Sequence, residues 1–372
     1  MTDTRIKPIV MPKWGLSMKE GKVTGWLLED GSTINPGDAI LEVETDKIAG
    51  SVEASEAGVL RRRVGQPDTV YPVKTLLGVI ADASVPETEI DAFVAAYVVP
   101  AGEEGEEEQG PKYEFVDTGA GRLRYVKRGT GSEILILIHG FGGDLDGWLF
   151  NLDPLAEVAT VYALDLPGHG QSTKKLDNPS LNSLVASVWE FMASLGIQSA
   201  HVVGHSMGGA IGLRMATQHP EKIRTLTLIC SAGLGQEIGS YVDEFVAAQS
   251  RKDLKPVLEK LFADKNLVSR QLVDDVLKYK RLDGVSDLLK ELSVALFAGR
   301  RQQDMPAAEL GGQVPRTLII WGKDDQIIPV AHAVNLPGAK VHVIEGAGHM
   351  VYMEKSSEVN GLIRGHIAST NP

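Results

Sequence analysis

The sequence predicts a multidomain chain, in which an all-β domain of the flattened-barrel or sandwich type is followed by an α/β domain with a mostly parallel sheet. Short β-type runs broken by Gly, Pro and Asp fill residues 6–81 and show no helical period. Beyond residue 112, apolar runs alternate with helical stretches, as in sheets whose parallel strands are joined by helices. The 372 residues suit two domains, each large enough for its own core.

Composition and charge exclude several classes of protein. The net charge of −12 leaves no broad basic surface for nucleic acid or anionic lipid. The N-terminus lacks the apolar core of a signal peptide, and no stretch approaches the ~18 apolar residues of a membrane span. Cys230 is the only cysteine, which excludes a disulfide within the chain and a Cys-rich site, and no metal is predicted. We therefore expect a soluble cytoplasmic protein that binds neither nucleic acid nor membrane, with Cys230 buried and inert.

An internal repeat divides the predicted β domain, residues 1–81, into two similar halves. Two similar sheets that face each other would produce such a repeat. The turn Thr45-Asp46-Lys47, in the stretch VETDKIAGSV, lies at the seam between the halves. Lys47 is therefore either a solvated loop residue or a lysine presented for the attachment of a group. The pairs that match at an offset of 37 are Gly21 with Gly58, Val23 with Leu60, Ile40 with Leu77, and Val43 with Ile80.

Residues 82–111 have the composition of an extended acidic linker. They contain three prolines, and five of the six residues 103–108 are glutamate, so that like charges repel one another. A short amphipathic helix is predicted inside this segment, and it could dock on its own chain or bind a partner. The apolar residues at helical spacing that predict it are Ile90, Phe93, Val94 and Tyr97.

The remaining residues, 112–372, are predicted to form the α/β domain. The spacing of its strands breaks once, because about residues 231–316 have a mostly helical pattern. A helical insertion between two strands of the sheet predicts a lid over one end of that sheet. The strands are predicted from six apolar runs, at residues 134–138, 160–166, 200–205, 225–230, 317–322 and 340–346.

Ser206 is the predicted nucleophile of this domain. It lies in GHSMGG, directly after an apolar strand and directly before a stretch of helical spacing. A sharp strand-to-helix turn needs the conformational freedom of glycine and leaves the serine hydroxyl accessible to a substrate. The alternative is a tight turn in which Ser206 only caps the following helix.

The predicted nucleophile needs a base, an acid and donors for the oxyanion. In this kind of fold the order along the chain is serine, acid, histidine. Asp325 and Asp324 both follow the fifth strand, and the spacing favours Asp325. His349, in the glycine-rich loop after the last strand, is the predicted base. The predicted oxyanion donors are the amide of Phe141, in the turn after the first parallel strand, and the amide of Met207.

Two sets of motifs carry a resemblance to known families. Residues 112–372 resemble α/β hydrolases through HGFGG, DLPGHGQS, GHSMGG, WGKDDQIIP and GAGHMVYME. Residues 1–81 resemble lipoyl domains through MPKWGLSMKEG, GDAILEVETDKI and the repeat. Their fusion resembles the dihydrolipoamide acetyltransferase components of acetoin dehydrogenase complexes. This resemblance implies lipoate bound covalently to Lys47, coenzyme A as acyl acceptor, and an acyltransferase role in acetoin catabolism.

The same resemblance implies particular partners. They are thiamine-diphosphate-dependent acetoin dehydrogenase subunits, dihydrolipoamide dehydrogenase, and a lipoate ligase or lipoyl transferase.

The chain departs from ordinary acyltransferase cores in two ways. No histidine is followed by their H-x-x-x-D-G pattern, and no subunit-binding domain is legible between residues 82 and 111. Transfer is therefore expected to use the serine, histidine and aspartate named above, or to be carried out by a partner. The alternatives are a serine thioesterase or esterase, with the lipoyl domain as carrier or docking module, and a non-catalytic lipoyl scaffold. Candidate cations for the phosphates of coenzyme A lie in the insertion: Arg300 with Arg301, or Lys278, Lys280 and Arg281. The alternative is that these cations only form solvated faces of their helices.

Overall fold

The structure is a computed structural model of the whole chain. It describes residues 5–12, 19–45, 49–54, 56–99, 113–310 and 315–369. Its contacts divide the chain into two compact units, Met1–Pro111 and Lys112–Pro372. Lys47 lies outside the described residues, so the prediction for its attachment stays a prediction. Within the described ranges, no helix is long and apolar enough to cross a membrane.

The first unit contains two four-stranded sheets in which all neighbouring strands are antiparallel. One sheet has the order β1-β8-β6-β3 and the other has the order β5-β4-β2-β7. The predicted all-β domain is thereby confirmed. The strands are β1 (Ile6–Val10), β2 (Glu20–Trp26), β3 (Thr33–Ile34), β4 (Ala39–Glu44), β5 (Ala49–Glu53), β6 (Gly58–Arg63), β7 (Thr69–Pro72) and β8 (Leu76–Ala81).

The internal repeat corresponds to two sets of three strands, and each set contributes two strands to one sheet and its middle strand to the other. Strands β2, β3 and β4 of the first half match β6, β7 and β8 of the second half at the offset seen in the sequence. The matched apolar residues lie in one buried core between the sheets, and they are Val23, Ile40, Val43, Leu60, Leu77 and Ile80. Strands β4 and β5, on either side of Lys47, are hydrogen-bonded neighbours, with Glu44 opposite Ala49.

A helix, α1 (Glu87–Ala96), packs on the first unit. Its Ile90 is fully buried in a cluster with residues of β1 and β8. Glu87 pairs with Arg61 of β6 at 2.5 Å. Residues 82–97 therefore continue the first unit, whereas the acidic linker was predicted to begin at residue 82. The reason for the difference is that the apolar stripe of the helix covers an apolar face of the sheet, so docking on its own chain is the alternative that the structure shows.

Replacement of Ile90 with alanine is expected to destabilise the first unit by about 2–4 kcal/mol, because it removes buried methyl groups and leaves a cavity under α1. In the full chain, hydrogen–deuterium exchange of peptides from β8 should become faster. Thr88→Ala on the exposed side of the same helix is the control and should leave this exchange unchanged. Unchanged exchange in the Ile90 variant would mean that α1 does not contribute to the stability of the sheets.

The second unit is built on one eight-stranded sheet with the order β16-β15-β14-β13-β11-β12-β10-β9. The six predicted strands are present and pair in parallel. Two antiparallel strands, β9 and β10, were not predicted, because charged residues interrupt their apolar pattern. The strands are β9 (Glu114–Thr118), β10 (Gly121–Arg128), β11 (Ile134–Ile138), β12 (Thr160–Leu164), β13 (Ala200–His205), β14 (Ile223–Ile229), β15 (Thr317–Gly322) and β16 (Lys340–Ile344).

Helices surround this sheet and form the predicted insertion. Helices α5 to α8 lie between β14 and β15, where the lid was expected. Phe245 of α5 and Phe297 of α8 contact Phe141, which follows the carboxyl end of β11, so the lid covers that end of the sheet. The helices of this unit are α2 (Leu149–Ala156), α3 (Leu181–Ser194), α4 (Met207–Gln218), α5 (Tyr241–Ala247), α6 (Arg251–Leu258), α7 (Arg270–Lys280), α8 (Val285–Phe297), α9 (Val351–Glu354) and α10 (Ser356–Ala368).

Candidate active site

Ser206 occupies a strained turn between β13 and α4. Its backbone has φ 52° and ψ −117°, in a region that non-glycine residues rarely adopt. The turn is tight enough to require glycine on both sides: a Cβ on Gly204 would lie 2.2 Å from the Gly208 carbonyl oxygen, and a Cβ on Gly208 would lie 2.2 Å from the Ile138 carbonyl oxygen. Ser206 stands at the N-cap position of α4, but its side chain makes no cap hydrogen bond. The hydroxyl is therefore available for chemistry, which weighs against the capping alternative.

Asp325 and His349 form a buried pair at the carboxyl ends of β15 and β16. The distance between His349 Nδ1 and Asp325 Oδ2 is 2.9 Å, and the side chains are 3% and 0% exposed, respectively. The other carboxylate oxygen, Oδ1, accepts the backbone N–H groups of Ile327 and Ile328 at 2.8 and 3.1 Å. The carboxylate is thus held by three donors, and it orients the imidazole so that Nε2 is left to act as a base.

Asp324, the other candidate acid, has a different environment. It is exposed, and its backbone N–H donates to the Ala347 carbonyl at 2.9 Å. Its role in the structure is to tie the loop after β15 to the loop before His349. The geometry therefore favours Asp325 as the partner of His349.

His205, next to the nucleophile in sequence, connects the serine turn to the histidine loop. Its Nε2–H donates to the backbone carbonyl of His349 at 3.0 Å, and the centroids of the two rings are 4.7 Å apart. Burial lowers the pKa of His205 well below its usual value, so the ring is neutral. The structure shows that His205 holds the loop that carries the predicted base.

The two predicted oxyanion residues lie beside the serine turn. A Cβ on Gly140 would lie 3.0 Å from Ser206 Cβ, which places the turn after β11 directly against the nucleophile. Phe141 follows that glycine, and its side chain is buried. Met207 begins α4, immediately after Ser206, and is also buried. Donation by their two amides to an oxyanion stays a prediction, and their placement is compatible with it.

Asp165, the first residue of DLPGHGQS, is buried, and the sequence predicted no role for it. Its carboxylate accepts Arg124 Nε of β10 at 2.6 Å. It also accepts the backbone N–H groups of Leu145 and Gln171 at 2.8 and 2.7 Å. Three segments that border the site are thereby joined around one buried ion pair. No local signal identified this pair, because β10 carries four basic residues and only the assembled fold buries Arg124 among them.

Cys230 is fully buried, as expected, but it adjoins the acid and the base. Potential ligand atoms of Cys230, Asp325 and His349 lie within 4.8 Å of one another. The Gly322 N–H donates to the cysteine sulfur at 3.5 Å. Burial, and then the nearby Asp325 charge, raise the pKa of the thiol well above its usual value. Because His349 Nδ1 and Asp325 Oδ2 already pair with each other at 2.9 Å, we assign this group to the serine site.

One of the cations proposed for coenzyme A has a structural role. Lys280 is buried, and its Nζ donates to the backbone carbonyls of Phe245 and Ala248 at the end of α5. Burial lowers its pKa to about 8. It therefore neutralises the C-terminal end of α5 and is not available to a phosphate. Lys278 pairs with Asp275, Arg300 pairs with Asp243, and Arg301 bonds to Gln236.

Comparison with known proteins is consistent with this geometry. Residues 133–356, more than half of the chain, match the family model of the alpha/beta hydrolase fold, and residues 7–77 match the biotin and lipoyl model, described as biotin-requiring enzyme. A solved meta-cleavage product hydrolase of Pseudomonas fluorescens has the same fold, with a TM-score of 0.64 and 23% identity over 69% of this chain and 98% of that chain. The fold and the site thus define an α/β hydrolase joined to a biotin/lipoyl attachment domain.

Two curated relatives extend over nearly the whole chain. One is the dihydrolipoyllysine-residue acetyltransferase component of the acetoin cleaving system of Cupriavidus necator, 52% identical over 97% of each chain. The other has the same name, comes from Pseudomonas putida, and is 47% identical over 96% of this chain and 97% of that protein. The chain belongs to this family of acetyltransferase components of acetoin cleaving systems.

Proposed function

We propose that this chain transfers an acetyl group from a lipoyl group on Lys47 to coenzyme A, with an acetyl ester of Ser206 as the intermediate. Acetyl transfer as such follows from membership of the family. The route through Ser206 is supported chiefly by the buried hydrogen bond between His349 and Asp325, which lies beside the strained serine turn. A buried pair of this kind has no evident use in a protein that only presents a lipoyl group, which argues against the non-catalytic scaffold.

The proposed reaction has two balanced halves. In the first, His349 Nε2 takes the proton of Ser206 Oγ, which attacks the thioester carbonyl; the carbon–sulfur bond breaks, and the proton passes to the departing dihydrolipoyl sulfur. In the second, His349 takes the thiol proton of coenzyme A, and the thiolate attacks the ester. The carbon–Oγ bond then breaks, and the proton returns to Ser206. In each half the oxyanion would be held by the amides of Phe141 and Met207.

The length of chain between the units limits how far the lipoyl group can travel. Residues 82–97 pack on the sheets of the first unit. Only the fifteen residues 98–112 therefore lie between this packed part and Tyr113, the residue before β9. Fifteen residues span at most about 50 Å when fully extended. Delivery within one chain would make the thioester an intramolecular substrate, so that the serine site would need little affinity of its own for the carrier.

The proposed partners follow from the chemistry on either side of this transfer. A component of a cleaving system receives its acetyl group from another protein, and we assign that step to thiamine-diphosphate-dependent acetoin dehydrogenase subunits. The reduced lipoyl group that leaves Ser206 must be reoxidised, which we assign to dihydrolipoamide dehydrogenase. A lipoate ligase or lipoyl transferase would attach lipoate to Lys47.

The second candidate function is hydrolysis, and the same serine site favours it. A Ser-His-Asp arrangement on this fold can pass an acyl group to water as well as to a thiol. The two functions separate in one experiment: the lipoylated protein is given S-acetyl-dihydrolipoamide with and without coenzyme A, and acetyl-CoA and acetate are both measured. Acetyl-CoA as the main product when coenzyme A is present supports the proposal. Acetate as the sole product under both conditions would make the chain a thioesterase.

The Lys47→Arg variant is expected to lose the mass of one lipoyl amide and to lose acetyl transfer from its own first unit, because arginine cannot form that amide. It should still accept acetyl groups from free S-acetyl-dihydrolipoamide, since the serine site is unchanged. Intact mass and the acetyl-CoA yield measure the two effects. Lys74→Arg, at an exposed lysine of the same unit, is the control. A Lys47 variant that retained the lipoyl mass would place the attachment elsewhere.

A further inference from the structure

Phe297, at the end of lid helix α8, is near both residues that carry the predicted oxyanion donors. Its ring centroid is 6.0 Å from that of Phe141, in an edge-to-face arrangement. On its other side it lines a small and mostly apolar cavity together with Met207. Other residues of this cavity include Ala210, Ala232 and Leu296. One lid side chain therefore adjoins both halves of the oxyanion site.

Phe245, at the end of lid helix α5, covers the same turn from another direction. A Cβ on Gly142 would lie 2.7 Å from the Phe245 ring, so glycine is required there for the ring to approach. The centroids of the Phe245 and Phe141 rings are 6.2 Å apart. The Lys280 ammonium lies 4.7 Å from the centroid of the Phe245 ring and donates to the Phe245 backbone carbonyl. The buried lysine thus fixes the ring over the oxyanion turn.

The reacting groups are almost entirely removed from solvent in this arrangement. Ser206 is 8% exposed and His349 is 2% exposed. The two lid phenylalanines are buried as well, at 1% for Phe245 and 5% for Phe297. The lid thereby lines this part of the site with aromatic carbon. Water entering such a lining gives up hydrogen bonds that the rings cannot replace.

We propose that Phe297 and Phe245 determine which acceptor takes the acetyl group, by keeping water from the acetyl ester of Ser206 while a thiol on an extended carrier can displace them. This inference rests on the proposed function. It explains how a site with the groups of a hydrolase can serve a transferase, although water greatly outnumbers coenzyme A. The neutral thiol of coenzyme A forms weaker hydrogen bonds than water, so it loses less when it enters an apolar site. The thiolate that forms when His349 takes its proton is a stronger nucleophile than water.

The two competing reactions share the acetyl-enzyme and differ only in the bond that forms. With coenzyme A, a carbon–sulfur bond forms and the carbon–Oγ bond breaks; with water, a carbon–oxygen bond forms and acetate leaves. In both, His349 takes the proton of the acceptor and returns a proton to Ser206. Because both products come from one intermediate, the ratio of acetate to acetyl-CoA does not depend on how fast that intermediate forms.

The test measures this ratio at fixed coenzyme A in the full-length lipoylated protein, with S-acetyl-dihydrolipoamide as donor. Phe297→Ala and Phe245→Ala are each expected to raise the ratio of acetate to acetyl-CoA by about tenfold, the factor that about 1.4 kcal/mol between two competing barriers produces. Phe297→Leu and Phe245→Leu keep an apolar side chain and should raise it less. Val294 lies in α8, the helix of Phe297, and is 62% exposed. Val294→Ala is the matched control and should leave the ratio unchanged.

Several outcomes would overturn the inference, and they differ from a failure of the proposed function. A ratio that stays within twofold of the wild-type ratio in the folded alanine variants means that the rings do not exclude water. Should an alanine variant unfold, which a thermal melt reports, the leucine variant of that residue decides, because it is expected to raise the ratio by less than tenfold but by more than twofold. Acetyl-CoA formation that persists in Ser206→Ala, by contrast, removes the serine intermediate and therefore the proposed function itself.

Discussion

Ser206→Ala is expected to lower the rate of acetyl-CoA formation from the acetylated lipoyl group by at least about 1,000-fold, because triad residues act as a unit and removal of the nucleophile leaves only binding and oxyanion stabilisation. The loss should be in kcat and not in KM, since the hydroxyl acts in the bond-forming step. The variant removes only the hydroxyl of Ser206, and this hydroxyl makes no capping bond to α4. Stability should therefore change little. The rate is measured by quantification of acetyl-CoA under saturating donor.

A matched control is available elsewhere in the same unit. Ser187 is a fully buried serine of α3 whose hydroxyl donates to the Leu184 carbonyl of its own helix at 2.6 Å. Ser187→Ala makes the same chemical change and is expected to retain the acetyl-transfer rate. A burst of acetyl-enzyme, seen by mass spectrometry in the wild type and absent in Ser206→Ala, would identify the intermediate directly. If the two serine variants were equally active, the triad would have no part in transfer.

Asp325→Asn is expected to reduce kcat by roughly 10,000-fold. An asparagine amide can donate to His349 Nδ1, and the imidazole would then carry its proton on Nε2, where it cannot accept the proton of Ser206. The carboxylate of Asp325 is fully buried, and its Oδ2 lies 2.9 Å from His349 Nδ1, so no solvent molecule can take over its role. The effect should appear in acetylation of the serine and in its deacylation alike.

Asp324→Asn is the natural control, because it makes the same change one residue earlier in an exposed position. The bond from Asp324 to the Ala347 carbonyl comes from the backbone N–H and survives the substitution. We expect the Asp324 variant to keep kcat within about twofold, as is usual for exposed substitutions away from a site. A large loss in the Asp324 variant with little loss in the Asp325 variant would reverse the assignment of the acid.

Several features were determined by the local pattern of the sequence alone. The parallel strands were recognisable because strands that are buried on both faces appear as uninterrupted apolar runs. The serine turn was recognisable because Gly204 and Gly208 are required by contacts with the neighbouring backbone, and such requirements leave a motif. The repeat in the first unit was legible because both sheets contribute matching residues to one core. In each case the signal lies within a few neighbouring residues or at a fixed spacing.

Other features were decided only by contacts between segments that are distant in the sequence. The sequence favoured Asp325 over Asp324 by spacing, but it is the approach of His349 from another strand end that distinguishes a buried acid from an exposed one. Lys280 looked like a surface cation on a helix, and the end of α5 buries it. The placement of α1 on the first unit likewise depends on an apolar sheet face that composition does not reveal. Whether a residue is buried, and which partner it contacts, depends on which distant segment of the chain packs against it in the fold. No local pattern in the sequence encodes that packing.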